Sequence, residues 1–463
     1  MLEQLEHADR FIHWHPFTQM AEYAQSDPLL IERGEGNWLI DAHGRRWLDG
    51  VASLWCNVHG HNRPEINAAI VAQLGRIAHS TALGAGNTTT AECARRLIGV
   101  APAGLRHVFF SEDGAEAMEI ALKMAFQYWR NSGRPERNRF LTLGDAYHGD
   151  TVGAMSLGAI ETFHGTFRPL LFEALSVPPP RDLTWRRDGR SAAERRAEEG
   201  RAVDRFAAAV REHKDSLAAV ALESGVQGAA GIYPMPRGFL TAARELTERF
   251  DILLILDEVA TGFGRTGPMF ACEGEGVCPD LMALGKGLTG GYLPLAATLT
   301  TDRIYEAFLG PYERMTHFFH GHTYTGNPLA CAAAIANLDI FAGEPVLERV
   351  AERAARIEAV REEFLRLPVV GDFRQRGLMV GIELVRSTPA VEPFPAAVRA
   401  GRRVCSLARR RGVALRPLGD VVVWMPPLSI TEDELELLIS ATREAIEQFQ
   451  AEVSTQNGPQ MNS

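Results

Sequence analysis

The sequence predicts an α/β protein in which a large domain, built on a mostly parallel mixed sheet, precedes a smaller α+β domain. Helical and strand patterns alternate between about residues 61 and 330, which is typical of parallel strands joined by helices. Residues 252–256 are five consecutive apolar residues between acids, a pattern that indicates a strand buried on both faces. After about residue 330 the pattern changes to long helices and a few strands, which indicates a second domain.

The chain accordingly divides into three parts. Residues 1–60 are rich in turns, contain a hairpin-like stretch at 29–49, and are predicted to join the small domain. Residues 61–329 form the large domain, with predicted helices at 64–79 and 114–131 and predicted strands at 106–110, 139–143, 217–222, 252–256, 281–284 and 295–300. Residues 330–463 form the small domain, with helices at 328–341, 345–367 and 431–450, strands around 377–385 and 421–425, and a polar tail, 454–463, that is predicted to be disordered.

Composition and charge exclude several classes of protein. The 463 residues are 46% hydrophobic and 23% charged, as in globular domains. With 48 basic and 58 acidic residues the net charge is −10, which argues against a nucleic-acid partner. The sequence has no apolar run long enough for a membrane span and no signal-peptide pattern at its N-terminus. Six scattered cysteines without a CxxC spacing indicate reduced thiols, so we expect a cytoplasmic protein.

Three His-x-His pairs are candidates for metal binding, because side chains two residues apart share one face of a strand. They are His13/His15, His59/His61 and His320/His322. No cysteine or carboxylate cluster at ligand spacing accompanies them in the sequence. We therefore predict no metal site.

Lys286 is the first candidate for catalysis. It follows the apolar run 281–284 and lies between Gly285 and Gly287. Burial disfavours the ammonium form and lowers the pKa of a lysine, which supplies the neutral amine that a Schiff base needs. The alternative is a lysine at a strand end whose amine reaches solvent.

Asp257 is the matching carboxylate, because it ends the apolar run 252–256. Ligands of open α/β sheets collect at the carboxyl ends of the strands, so two neighbouring strand ends would bring Asp257 and Lys286 to one crevice. Pyridoxal phosphate (PLP) chemistry needs this pair, an amine that carries the cofactor and a carboxylate that keeps its pyridine nitrogen protonated. The alternative for Asp257 is an ordinary turn residue.

Two common nucleotide-binding motifs do not fit. Gly285-Lys286 is not a P-loop, because Asp280 stands where that motif needs glycine and Gly287 replaces its Ser or Thr. No predicted strand is followed by GxGxxG, so a nicotinamide-binding fold has no support.

Further groups follow other predicted strands. Gly114 and Ala115 open a helix whose first backbone N–H groups suit a phosphate, although an ordinary capped turn has the same pattern. Tyr147 follows a strand and could stack on a flat cofactor or simply pack in a loop. Arg416 lies between apolar residues and suits either a substrate carboxylate or a structural salt bridge. Small and hydroxyl residues at 321–327 also suit a phosphate.

Together and in this order, these segments resemble the class III aminotransferases, which are PLP enzymes of fold type I, over about residues 10–450. The resemblance is carried by LDEVATGFGRTG at 256–267 and LGKGLTGG at 284–291. Within the family, the chain is most similar to the branch that acts on 8-amino-7-oxononanoate in biotin synthesis. That likeness lies in WHPFTQM at 14–20, YHGDT at 147–151, FACE at 270–273, HGHT at 320–323 and RPLGD at 416–420.

The resemblance implies a role in cofactor binding or catalysis for several residues. Lys286 is implied to form the Schiff base with PLP and to shuttle the proton, and Asp257 to pair with the pyridine nitrogen. Four further residues match the family pattern: Gly114 and Ala115 match the phosphate turn, Tyr147 a residue beside the ring and the substrate, and Glu223 an acid near the cofactor edge.

The resemblance also implies a substrate pocket and a shared site. Phe17, Leu54 and Trp55 match residues of the substrate pocket, and Arg416 matches the residue that binds the carboxylate of 8-amino-7-oxononanoate. A loop that reaches the neighbouring subunit's cofactor is matched by Gly321, His322 and Thr323. The implied assembly is a homodimer with shared active sites, acting on small-molecule substrates without a nucleic-acid or membrane partner.

This chain departs from the family pattern at three of these positions. The family often has serine where Ala115 stands, which removes one hydroxyl from the phosphate turn. Many members have tyrosine at Phe17 and tryptophan at Leu54, two positions around the amino-donor pocket. The resemblance therefore leaves two donors open, S-adenosylmethionine and lysine.

The activity implied by the resemblance is transfer of an amino group to 8-amino-7-oxononanoate, which gives 7,8-diaminononanoate. An ω-amine:pyruvate transaminase of broad specificity is an alternative, because one fold hosts many substrates. A third reading is a protein of this fold that binds a ligand without turnover. The presence of Lys286, Asp257 and Arg416 argues against it.

Overall fold

The computed structural model describes residues 1–158 and 160–456. The α-helices are α1 (Leu2–Phe11), α2 (Met20–Ala24), α3 (Ala52–Trp55), α4 (Pro64–Leu74), α5 (Thr88–Val100), α6 (Gly114–Asn131), α7 (Val152–Leu157), α8 (Glu161–His164), α9 (Ala192–His213), α10 (Phe239–Arg249), α11 (Asp302–Glu306), α12 (Pro328–Gly343), α13 (Val346–Leu365), α14 (Ala400–Arg409) and α15 (Glu432–Gln456). Short 3₁₀ turns lie at Gly165–Leu170, Ala271–Glu275, Lys286–Thr289, Tyr312–Arg314 and Ala396–Val398.

The strands form four sheets. They are β1 (Ile31–Glu35), β2 (Trp38–Asp41), β3 (Arg46–Asp49), β4 (Leu105–Ser111), β5 (Arg139–Leu143), β6 (Leu175–Val177), β7 (Leu217–Glu223), β8 (Val226–Gln227), β9 (Tyr233–Pro234), β10 (Leu253–Asp257), β11 (Leu281–Leu284), β12 (Ala296–Thr301), β13 (Val370–Arg376), β14 (Met379–Leu384), β15 (Val413–Ala414), β16 (Arg416–Leu418) and β17 (Val421–Trp424).

The largest sheet has seven strands in the order β4-β12-β11-β10-β7-β5-β6. Only β12 runs antiparallel to its neighbours, so the other six strands end at one edge. Residues of β7, β10 and β11 are buried throughout, which explains their nearly continuous apolar sequences, since helices cover both faces of such a sheet. The predicted α/β class with a mostly parallel mixed sheet is confirmed.

The N-terminal strands belong to a sheet that the C-terminal part completes. Its order is β1-β2-β3-β15, with β3 parallel to β15. A second four-stranded sheet, β13-β14-β17-β16, is wholly antiparallel. One apolar cluster contains Leu48, Val58 and Ile66 together with residues of α12 to α15. The domain boundaries at 60/61 and 329/330 stay predictions.

Local sequence signals define several helices that the site depends on. Asp113 and Glu116 form a reciprocal capping box at the start of α6, which satisfies backbone donors that a helix start leaves free. The start of α12 is fixed by the Asn327 cap and by Pro328 at its first position. Within α12, the buried Asn337 amide donates to the carbonyls of Gly287 and Leu288, which ties this helix to the turn that carries Lys286.

Some predicted elements differ from the observed ones. The helix predicted at 64–79 ends at Leu74, and α5 and α14 were not predicted. The last helix extends to Gln456, so residues 454–456 of the predicted tail are helical, and 457–463 lie outside the described residues. Across the described ranges, no single helix has the length and apolarity to cross a bilayer. Helices α12 and α13 meet that criterion only as a pair, with a bend of 73° between them.

Candidate active site

A cavity of about 860 Å³ lies at the edge where the parallel strands of the large sheet end. Asp257 is the last residue of β10 and pairs in register with Glu223 of β7 and Ala283 of β11. Lys286 follows β11 by two residues. The sheet thereby brings two acids and an amine to one cavity wall, as expected for neighbouring strand ends.

Lys286 begins a 3₁₀ turn with a positive φ of 41°. Its Nζ lies 5.6 Å from the centroid of the Trp55 ring. Burial lowers the pKa of Lys286, and the negative charge of Asp257 opposes part of that shift. This environment favours the neutral, nucleophilic amine more than solvent does.

Asp257 is held by two donors of the chain. Its Oδ1 accepts from the backbone N–H of Val259 at 2.9 Å, and its Oδ2 lies 2.8 Å from Nδ1 of His148. A carboxylate only accepts, so Nδ1 of His148 carries the proton in this contact. These bonds fix the carboxylate while leaving lone pairs that can face the cavity.

Glu223 is a second buried acid at this edge. One oxygen accepts from the backbone N–H of Gly228 at 2.7 Å, and the other from that of Tyr147 at 3.2 Å. Burial raises the pKa of Glu223 to about 7, with a further contribution from Asp257, while His148 and the two N–H groups oppose the rise. The acid therefore titrates near neutral pH.

Tyr147 also lines the cavity. Its hydroxyl donates to Asp150 Oδ2 at 2.7 Å, and its ring lies parallel to that of His164 at 5.8 Å. Burial and the bond to Asp150 raise the pKa of Tyr147, and the charge of Arg416 opposes part of this rise. Tyr147 is thus a neutral hydrogen-bonding group at physiological pH.

The N-terminus of α6 forms another part of the wall. Among the described residues, the backbone N–H groups of Gly114 and Ala115 have no acceptor. A Cβ on Gly114 would lie 2.5 Å from Val259, and one on Gly149 would lie 2.3 Å from the Ala115 Cβ. The two glycines therefore allow the loops after β10 and β5 to approach the start of this 18-residue helix.

Eight of the predicted site residues line this cavity, and five do not. Those that line it are Leu54, Trp55, Gly114, Ala115, Tyr147, Glu223, Asp257 and Lys286. Phe17 is exposed and stacks edge-on with Phe163 at 5.4 Å, and Phe163 in turn contacts Tyr147. Arg416 begins β16 with an exposed side chain.

The loop with Gly321, His322 and Thr323 also lies outside the cavity. Nδ1 of His322 is 3.0 Å from Glu112 and 3.6 Å from Glu116, and Thr323 is exposed. The spacing of these three groups could hold a metal ion, as could that of Asp9, His13 and His15. The sequence shows no carboxylate cluster at ligand spacing beside the His-x-His pairs, but the fold brings acids to two of them. The absence of a metal site stays a prediction.

Sequence reasoning missed two kinds of site residue. His148 was seen only as part of a motif, although it is the buried partner of Asp257, and its adjacency to Tyr147 after a strand was the available signal. Cavity-lining residues such as Cys56, Thr289 and Tyr292 carried no signal, because their position depends on how distant loops meet.

Known proteins resemble this chain over nearly its whole length. Residues 20–446 match the family described as Aminotransferase class-III. The chain belongs to the class III aminotransferase family. A protein of Aquifex aeolicus named adenosylmethionine-8-amino-7-oxononanoate aminotransferase is 50% identical over 449 residues, which are 97% of this chain and 98% of that protein.

Solved structures of aminotransferases are also similar to this chain. The crystal structure of the enzyme with that name from Methanocaldococcus jannaschii is 46% identical, with a TM-score of 0.92 over 97% of this chain and 99% of its own. An amine transaminase from an uncultivated Pseudomonas species, in its PLP-bound form, is 37% identical, with a TM-score of 0.86 over 94% of this chain and 98% of its own. The chain is a PLP-dependent aminotransferase.

The cavity fits this cofactor. It offers the Lys286 amine, whose pKa is lowered, and the Asp257 carboxylate, which is fixed at the same edge of the sheet. It also offers free backbone N–H groups at the N-terminus of α6, where phosphates bind readily. When bound, PLP supplies an electron-withdrawing ring that makes the C–H bond beside the substrate nitrogen acidic.

Proposed function

We propose that this enzyme transfers an amino group to 8-amino-7-oxononanoate, giving 7,8-diaminononanoate for biotin synthesis. The supporting observation is the 50% identity, over 97% of the chain, to a protein named for that acceptor. The same name recurs for a protein of Nitratidesulfovibrio vulgaris that is 52% identical over 94% of this chain and 80% of its own. The donor is S-adenosylmethionine or lysine, and the six free cysteines suit a cytoplasmic enzyme.

The roles of the cavity residues follow from their chemistry. Lys286 would hold the cofactor through its amine, and the released Nζ, whose ammonium form burial disfavours, would take the proton from the substrate carbon. Asp257, oriented by His148 and Val259, would accept a hydrogen bond from the ring nitrogen. The N–H groups of Gly114 and Ala115 would bind the phosphate.

The walls would orient the ring and the substrate. Tyr147 would lie beside the ring, and Glu223, itself held by backbone N–H groups, would lie at the cofactor edge. On the substrate side, Leu54 and Trp55 are supported by their position in the cavity wall. Phe17 would close this side through its stacking on Phe163.

Arg416 would bind the carboxylate of 8-amino-7-oxononanoate. Its exposed guanidinium lies near enough to Tyr147 for its charge to affect the pKa of that hydroxyl. A planar guanidinium can bind a carboxylate through two parallel hydrogen bonds, so Arg416 would hold the carboxylate end of the acceptor.

The active unit would be a homodimer in which Gly321, His322 and Thr323 complete the neighbouring subunit's site. This is supported by their position outside the cavity of their own chain, beside Glu112 at the start of α6.

The deciding experiment measures 7,8-diaminononanoate formed from 8-amino-7-oxononanoate, with S-adenosylmethionine and with lysine in parallel. Lys286→Ala should lose both product and the visible absorbance of the bound cofactor. Arg416→Lys should raise the KM for 8-amino-7-oxononanoate about tenfold, since lysine binds a carboxylate less specifically. The control Arg349→Lys, at a partly exposed arginine paired with Glu344, should not.

A second candidate is a broad amine transaminase, which the similarity to the Pseudomonas enzyme favours. Turnover of 1-phenylethylamine with pyruvate, without activity on 8-amino-7-oxononanoate, would support this candidate and refute the first.

A further inference from the structure

The segment that carries Leu54 and Trp55 has an unusual backbone. Ala52, Ser53 and Trp55 have φ values of 48°, 60° and 65°, in the region that side chains disfavour. Ser53 combines its φ with a ψ of −72°, close to the rare, strained γ-turn geometry. Such conformations persist only where neighbouring groups enforce them, and they concentrate at functional sites.

This segment forms one wall of the active-site cavity. Leu54, Trp55 and Cys56 all line it. The Trp55 ring faces Lys286 Nζ at 5.6 Å, and a Cβ on Gly228 would lie only 3.4 Å from that ring. A relaxed backbone at Ser53 would therefore move the indole relative to the reacting amine.

Asp49 is the group that holds the segment. It is fully buried at the end of β3. The Ser53 backbone N–H lies 2.9 Å and 2.7 Å from its two oxygens, and the Ser53 hydroxyl donates to Oδ2 at 3.0 Å. Val51 N–H approaches Oδ1 at 3.4 Å. One carboxylate thus accepts from both hydrogen-bond donors of Ser53.

His61 holds Asp49 in turn. Its Nε2 is 2.9 Å from Asp49 Oδ2, and its Nδ1 is 3.0 Å from the amide nitrogen of Asn57. Asn57 Oδ1 accepts from Gly60 N–H, so its Nδ2 is the side that faces His61 and donates to it. His61 therefore carries its proton on Nε2 and donates it to Asp49.

The position of His61 is fixed by a close approach to the N-terminal hairpin. A Cβ on Gly34 would lie 2.5 Å from the His61 Cβ, so only glycine lets the imidazole pack there. The chain of contacts runs from β1 through His61 and Asp49 to Ser53, and none of these three residues is among those that line the cavity.

We propose that Asp49 and His61 are positioning residues that hold Ala52–Trp55 in its strained conformation and so set Leu54 and Trp55 against the substrate. The identity of that substrate rests on the function proposed above. Neither residue touches the reacting atoms. Their loss should weaken substrate binding rather than cofactor binding.

The test compares Asp49→Asn and His61→Gln with the wild type. Asp49→Asn keeps the size of the side chain but points an amide N–H at a donor of Ser53 or His61. The KM for 8-amino-7-oxononanoate should rise about tenfold while kcat changes less than about threefold, the signature of lost ground-state binding. The visible absorbance of bound cofactor should be unchanged.

A rescue variant separates positioning from general damage. Ser53→Gly relieves the strain, because glycine adopts this conformation without penalty. The double variant Asp49→Asn/Ser53→Gly should recover most of the wild-type KM. As a matched control, Asp302→Asn alters an exposed aspartate that pairs with His107 at 2.9 Å. It should leave the KM, the kcat and the cofactor absorbance unchanged.

Hydrogen exchange at the Ser53 amide gives a readout that does not depend on the substrate. It should be faster in both single variants than in the wild type. Unchanged exchange, an unchanged KM, or no recovery in the double variant would overturn the proposal. A wild type inactive on 8-amino-7-oxononanoate would refute only the proposed function, and pyruvate would then serve for the KM comparison.

Discussion

Nδ1 of His148 lies 2.8 Å from Oδ2 of Asp257, and both side chains are buried. Burial alone lowers the pKa of His148, but the hydrogen bond and the negative charges of Asp257 and Glu223 raise it overall. The imidazole, itself part of the cavity lining, therefore donates a hydrogen bond that orients the Asp257 carboxylate for a cofactor nitrogen.

His148→Phe should lower kcat about 10- to 100-fold, because hydrogen bonds to charged groups contribute about 1.5–3 kcal/mol and each 1.4 kcal/mol is about tenfold in rate. The phenyl ring keeps much of the volume but leaves Asp257 with only the Val259 N–H. The measurement is steady-state kinetics with the cofactor spectrum recorded in parallel. His107→Phe, which breaks the exposed pair with Asp302, is the control. A wild-type kcat in His148→Phe would show that the contact is structural only.

The contrast between Asp257 and His148 shows what the sequence could and could not predict. Asp257 and Lys286 follow apolar runs, and strands of one parallel sheet end at one edge, so their convergence followed from pattern alone. His148 reaches Asp257 across 109 positions of chain, through a loop without periodicity. The same holds for Asp49, Ser53 and His61, whose contacts depend on backbone angles that no local sequence rule specifies.

Secondary structure was missed where local propensity is weak. Helix α5 begins with three threonines, which are poor helix formers, and its start depends on the Asn87 side chain that accepts from Thr90 N–H. Helix α14 is rich in arginine, so its apolar face was not recognised, although Val404, Leu407 and Ala408 are buried. The strongly apolar strands β7, β10 and β11 were predicted within a residue or two.

Glu223→Gln should change how stability depends on pH. The folded-state pKa of about 7 exceeds that of an unfolded glutamate, about 4.3. Between these values the unfolded chain loses the proton first, so wild-type stability falls as pH rises, and the loss is complete above pH 7. Relative to the wild type, the variant should gain about 1–3 kcal/mol between pH 5 and pH 8.

Urea unfolding of both proteins at pH 5 and pH 8, at equal cofactor loading, measures this difference. Glu306→Gln, at an exposed position on α11, should show no such pH-dependent gain. A gain for Glu223→Gln that is larger at pH 5 than at pH 8 would mean that the folded environment stabilises the carboxylate, contrary to the direction stated here.

Gly149→Ala should destabilise the protein and weaken cofactor binding. Its new Cβ would lie 2.3 Å from that of Ala115 and would push the loop away from the start of α6. Overpacking of this kind costs about 1–3 kcal/mol. Gly267→Ala is the matched control, because Gly267 has a φ of 120° against 119° for Gly149 and nothing within 4 Å of an added Cβ.

Both variants share the backbone strain of alanine at this φ, so the difference between them reports the contact with Ala115. Thermal unfolding should give a lower Tm for Gly149→Ala than for Gly267→Ala, and cofactor titration should show weaker binding by Gly149→Ala. Equal losses in the two variants would mean that strain alone limits this position and that the approach to Ala115 is not tight.

Subunit hybrids test whether two chains build each site. If Thr323 completes the neighbour's phosphate site, each site contains Lys286 of one chain and Thr323 of the other. Lys286→Ala and Thr323→Arg then damage groups that come from different chains. Each homodimer should be inactive, but a hybrid isolated with two affinity tags has one site with both groups intact. It should recover about half of the wild-type activity per dimer, as expected for two equivalent sites related by twofold symmetry.

The control hybrid pairs Lys286→Ala with Asp257→Ala, whose side chains line the cavity of one chain, so neither of its sites is intact. Absence of activity in the first hybrid would place Thr323 in its own subunit's site and remove the reason for a shared one. Activity in the control would mean that Lys286 and Asp257 do not serve the same site.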